Sequence, residues 1–187
     1  KAFDDVAILA TAIGKASDAF GPSYVPFDGA RRLSRLPSPP YKFFSRVHSL
    51  DAPPGDAKKG ASVVAEYDVP SNDWYFEDGD GLMPWAVLLE AALQPCGWLA
   101  LATGLPLKTP EGLYFRNLDG EATVFRNLRP GPNRLITNVT LTDVSTSGGI
   151  WHSALNPRAS LPGCSSSKSH TTRDAPVASP ARASFWK

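Results

Sequence analysis

At 187 residues, 42% of them hydrophobic, the chain fits one domain with a sizeable core. A formal net charge of +1 without a basic cluster argues against nucleic acid as the main partner. The two cysteines, Cys96 and Cys164, form no CxxC pair and no metal-ligand spacing, and free thiols suit a reducing compartment, so a cytoplasmic location is expected.

The chain opens on Lys1 and contains a single methionine, Met83, which leads us to expect a segment of something larger. Residues 4–19 predict an amphipathic helix with Val6, Leu9, Ile13 and Ala16 on one face, ended by Phe20-Gly21-Pro22. Residues 21–40 are rich in Pro, Gly and Arg. Their Arg31, Arg32, Arg35 group reads either as a contact for an acidic protein or as a solvated loop. Strands are predicted at 41–48 and at 62–69, where Val63, Ala65, Tyr67 and Val69 alternate with Glu66 and Asp68.

The segment from Trp74 to Gln94 is the most informative. A polar Gly/Asp loop runs through Met83-Pro84 into an almost wholly apolar helix with one acid, Glu90, in its middle. An ionised carboxylate there is costly unless paired or hydrogen-bonded. Gln94 lies four residues on and shares its face with Met83, Val87 and Gly97, so the face reads as a site wall. The other reading is a carboxylate that reaches solvent at the helix edge. Asp78-Gly-Asp80 lacks the alternating ligands and distal Glu of a calcium loop, and no metal is expected. Residues 82–107 are apolar enough to raise a membrane span, but Glu90, Gln94 and Pro95 at the centre favour a buried core helix.

Beyond it, residues 104–112 predict a loop, and 113–118 with 121–128 a hairpin about Asp119-Gly120. A longer strand at 134–144 has Leu135, Val139 and Leu141 on one face. From 151 to 187 the chain turns to Ser, Pro, Ala and Arg without an apolar period, and reads as a disordered or out-of-frame tail. The organisation expected is a lead-in at 1–40, a domain at 41–150 and this tail. The fold class expected is α+β, an antiparallel sheet wrapped around a central helix.

Gly79-Asp80-x-x-Met83-Pro84 followed by Glu90-Ala91-x-x-Gln94 resembles the active-site segment of beta-hydroxyacyl-acyl carrier protein dehydratases. Gln94-Pro-Cys-Gly97, Leu113-Tyr-Phe-Arg-Asn-Leu-Asp-Gly120, Phe20-Gly-Pro-x-Tyr24, Pro39-Pro-Tyr and Ser45-Arg-Val47 are similar to the dehydratase regions of polyunsaturated fatty acid synthases, multidomain relatives of polyketide synthases. The resemblance implies a hotdog fold, as half of a double hotdog. It makes Glu90 and Gln94 the catalytic candidates, with Gly79, Asp80, Met83, Pro84 and Trp85 as substrate-binding candidates. Backbone N–H groups around Pro84 to Ala86 would face a thioester oxygen. No cofactor is expected on the chain itself; the substrate would ride on the phosphopantetheine of an acyl carrier protein, which the Arg31, Arg32, Arg35 group could meet.

The family's catalytic histidine would fall on Phe76, or on Tyr75 with one extra loop residue. Phe has no titratable atom, and Tyr has an ordinary pKa of about 10, so neither is a neutral-pH base. Trp85 replaces the family's Gly, and a bulky indole there would narrow an acyl tunnel. His48, on a predicted strand, is expected to be structural, and His152 and His170 fall in the tail. The reading that follows is a half that lost the histidine and kept the acid, with Glu90 facing a histidine from a sister hotdog. The expected partners are that sister and the carrier protein, with no nucleic acid and no membrane span. A non-catalytic scaffold hotdog and a hotdog thioesterase are the alternatives.

Overall fold

The computed structural model describes residues 1–53, 55–77, 80–108, 114–120, 122–124, 126–147, 150–162 and 181–186. Its strands are β1 (Arg46–Asp51), β2 (Ser62–Val69), β3 (Tyr114–Gly120), β4 (Asn133–Ser147), β5 (Ile150–Ser160) and β6 (Ala181–Trp186). They form one antiparallel sheet in the order β1-β2-β4-β5-β6-β3. Helix α3 (Trp85–Ala102) packs on one face, against β2, β4 and β5. This is the hotdog arrangement.

The strict alternation of β2 explains its place. Val63, Ala65, Tyr67 and Val69 are buried, and the register Val63↔Val139, Ala65↔Thr137, Tyr67↔Leu135 sets the inward residues of β4 beside them. On the opposite face Glu66 is buried as well, because Arg46 and His48 of β1 close over it. The His48 Nε2 lies 2.9 Å from Glu66 Oε2, and Arg46 pairs with both Glu66 and Asp68. The Arg46 guanidinium holds the Asp68 carboxyl below the usual carboxylate range. His48 is therefore a structural partner of Glu66, as its strand position suggested.

Every residue of α3 from Gln94 to Ala102 is buried. Pro95 removes one helical hydrogen bond at a cost of about 3 kcal/mol. Burying Trp98, Leu99 and Leu101 returns about 1.5–3 kcal/mol each, so the helix runs through it. Among the described residues α3 is the one helix long and apolar enough to cross a membrane, and 72% of it is buried inside this fold. Gly104 ends it at φ +81°, where a Cβ would lie 2.4 Å from Gly55 Cα; both facts require glycine.

Four expectations from the sequence are corrected. The helix of residues 4–19 is two helices, α1 (Asp5–Ala12) and α2 (Ala16–Phe20), broken around Gly14. Ile8, Ala12 and Ala16 are buried, while Val6 and Ile13 of the expected apolar face are 76% and 64% exposed. The strand of 41–48 begins only at Arg46. The 113–128 hairpin does not form: β3 pairs with β6, and the described part of 121–128 carries no strand.

The fourth correction is the tail. Residues 150–160 form β5, with Ser153, Leu155, Pro157 and Ala159 facing inward in register with β4, and residues 181–186 form β6 between β5 and β3. Small inward residues suffice in β5 because α3 packs close against it, so an alternation of Ser, Leu, Pro and Ala that composition reads as loop is a strand.

The lead-in also belongs to the fold. A 3-10 turn at Pro22–Asp28 and the following loop pack Tyr24, Phe27 and Leu33 against Ala16 and Leu101, and the Tyr24 hydroxyl donates to the Leu101 carbonyl.

Candidate active site

Glu90, Gln94, Gly97 and Leu101 recur at helical spacing on one side of α3 and line a single cleft of about 650 Å3. The lead-in, from Phe27 to Pro37, forms the facing wall, and Tyr114 and Phe115 of the edge strand β3 form a third side. Gly97 is where a side chain would intrude: a Cβ there would lie 3.6 Å from Leu36 Cδ2 and 3.9 Å from the Phe115 ring.

Gln94 is buried, and its amide is fully used. Its Oε1 accepts from the Phe43 N–H at 2.8 Å, while its Nε2 donates to the Tyr41 carbonyl at 2.7 Å and to Glu90 Oε1 at 3.3 Å. Accepting from a backbone N–H fixes which end of the amide is oxygen, so the Nε2 is presented to Glu90. Glu90 itself is half-buried and has no ion-pair partner among the described residues. The arrangement is a carboxylate at the wall of a cleft, oriented by an amide that is locked to the 41–43 segment.

The other sequence candidates lie apart from this cleft. Met83 is buried, and its N–H donates to the Leu128 carbonyl at 2.7 Å. Pro84 caps α3, and Trp85 stands 54% exposed beside it. Asp80 accepts from the Leu82 N–H at 3.3 Å; Gly79 lies outside the described residues. None of Asp80, Met83, Pro84 and Trp85 lines the cleft that holds Glu90. The start of α3 and its acid therefore face different spaces, although only about 7.5 Å of helix rise separates Trp85 from Glu90.

Tyr75 and Phe76, at the histidine position, are both buried. The Tyr75 hydroxyl lies 2.9 Å from that of Tyr67, and its ring packs edge-on against Phe43. Burial drives its pKa well above the ordinary tyrosine value. It is a core hydroxyl, unable to take a proton at neutral pH. No described histidine lines the cleft; His48 is on the far face of the sheet, and His170 lies outside the described residues. The lead-in wall is the part that sequence reasoning missed. Phe27, Leu33 and Leu36, apolar positions within an otherwise loop-like stretch, were its signal.

The model of the FabA-like domain matches residues 36–157. The chain belongs to the FabA-like family. The matched span runs from the end of the lead-in into β5, past the boundary that composition suggested near residue 150. Over 84 residues this FabA-like chain is 42% identical to one of the subunits of the polyunsaturated fatty acid synthase of Thraustochytrium sp., covering 45% of this chain and 6% of that protein. Among solved structures, the dehydratase heterocomplex ApeI:P of Xenorhabdus doucetiae superposes with a TM-score of 0.55 at 12% identity, covering 80% of this chain and 86% of that one. A mutant thioesterase from Pseudomonas aeruginosa gives 0.48 at 13% identity, covering 76% and 80%. The fold of the FabA-like chain is thus the hotdog.

Proposed function

We propose that this chain is one hotdog unit of a 3-hydroxyacyl thioester dehydratase region in a polyunsaturated fatty acid synthase type of assembly, and that it supplies the acid of a site completed by a sister hotdog. The observation that carries the reading is the separation within the chain: Glu90, held by Gln94, opens onto one cleft, while the start of α3 and the Tyr75-Phe76 position face elsewhere. A site needing both a helix start and an acid is then assembled from two units, with Glu90 meeting the helix start and histidine of the sister. The identity to the Thraustochytrium synthase supports the assembly, and the absence of a base near Glu90 among the described residues supports the sharing.

In this reading the sister's histidine removes the proton alpha to the thioester carbonyl. Glu90, as the general acid, delivers a proton to the departing hydroxyl, which leaves as water. Gln94 sets the carboxyl's direction. The substrate rides on the phosphopantetheine of an acyl carrier protein.

The test is water loss from a 3-hydroxyacyl thioester by the chain alone, by the chain with its neighbouring hotdog, and by the pair carrying Glu90→Gln. Activity in the pair only, reduced about a hundredfold or more by Glu90→Gln, is expected. Activity in the pair that survives the substitution would make the chain a scaffold. Thioester hydrolysis by the chain alone would make it a thioesterase.

A further inference from the structure

Three arginines, Arg31, Arg32 and Arg35, line the Glu90 cleft, and none of them lies within ion-pair distance of a carboxylate among the described residues. The cleft's own acids are committed elsewhere. Asp28 accepts from the Ser17 N–H at 3.1 Å and hydroxyl at 2.5 Å, which holds its carboxyl below the usual range, and Glu90 accepts from Gln94.

The arginines are nonetheless held in place. Arg31 donates to the Pro106 carbonyl at 2.6 Å and lies over the Phe27 ring, leaving its buried Nε without a partner among the described residues. Arg32 donates to the Tyr114 hydroxyl at 2.6 Å and stacks on that ring, and Arg35 donates to the Gly14 carbonyl at 2.9 Å. Arg32 and Arg35 are exposed, each with guanidinium N–H groups beyond its one bond. Cations lining a low-dielectric cleft, with no carboxylate partner among the described residues, raise the local concentration of anions. Fork-shaped guanidinium groups match a phosphate. Inward of them the walls are apolar, with Leu36, Leu93 and Phe115, and the one functional acid, Glu90.

We infer that Arg32 and Arg35 form a subsite for the phosphate of a phosphopantetheine arm, whose thiol end reaches along the apolar wall toward Glu90. The inference rests on the proposed function for the identity of the arm. The subsite itself stands on residues that precede the matched span, which begins at residue 36. Two sources carry this chemistry, a carrier protein and free coenzyme A.

The experiment is titration of the intact chain with 4′-phosphopantetheine and with pantetheine, followed by calorimetry, for the native chain and the Arg32→Gln/Arg35→Gln double variant. Phosphopantetheine is expected to bind about tenfold more tightly than pantetheine. That preference is expected to vanish in the double variant and to weaken with added salt, leaving pantetheine binding unchanged. Equal binding of the two probes, or a preference that survives the double substitution, overturns the inference. Should the double variant not fold, a preference in the native chain that is insensitive to salt overturns it.

Holo-carrier protein binding more tightly than apo-carrier, through these arginines, assigns the arm to a carrier; coenzyme A matching it assigns the free form. Apo-carrier binding as well as holo, and losing affinity in the double variant, would make the arginines readers of a protein surface and overturn the subsite. Binding needs neither the sister nor turnover. An inactive pair that still prefers phosphopantetheine would therefore defeat the dehydratase reading alone.

Discussion

Gln94 satisfies the backbone of the 41–43 segment from the side of α3, and its remaining N–H turns Glu90 into a fixed group. Two backbone partners depend on it, and leaving each unsatisfied costs about 1–3 kcal/mol. Gln94→Met keeps the volume and removes both bonds, so a loss of about 2–4 kcal/mol in urea unfolding at pH 7 is expected. A loss below about 0.5 kcal/mol would mean that water replaces the amide. The same scale explains the neighbouring aromatic position. Tyr75 is spent on Tyr67 and the core, so its hydroxyl has no route to chemistry.

At the scale of elements, the C-terminal end of α3 meets the turn after β1 with no room to spare. Gly104 combines a left-handed backbone with direct contact to the Gly55 backbone. Gly104→Ala must therefore both strain the backbone, by about 1–2 kcal/mol, and push the turn away from the helix. The expected result is a destabilisation of more than about 2 kcal/mol in chemical denaturation. An effect within about 0.5 kcal/mol would show that the turn moves freely. Gly97, about two turns from Glu90, plays the opposite part: its missing side chain leaves the cleft open rather than letting two backbones touch.

For the whole molecule, the sheet closes late in the chain. Among the described residues the edge strand β3 has β6 as its strand partner, and β6 also covers β5. A chain ending at Pro162 would leave β5 with an unpaired edge and β3 without a strand partner. It is expected to unfold at lower temperature than the full chain and to aggregate at concentrations where the full chain stays dispersed, as read by thermal melting with light scattering. A truncated chain with an unchanged melting temperature would contradict the pairing of β6. Tyr114 and Phe115 of β3 form a side of the cleft, so this pairing bears on the site as well as on stability.

The sequence by itself was enough for the β2 and β4 faces, the apolar helix with its lone acid, and the shared side of Glu90 and Gln94, because each depends on a local period or on residue type. Tertiary structure alone decided the rest. The pairing of β3 with β6 across a long stretch of intervening chain, the strand made of small residues at 150–160, and the buried side of α1 all depend on which surface comes to lie opposite. So does the site. Burial and hydrogen bonding are set by neighbours distant in the chain, and these turned a loop-like lead-in into the wall of the Glu90 cleft while leaving Trp85 and Asp80 outside it.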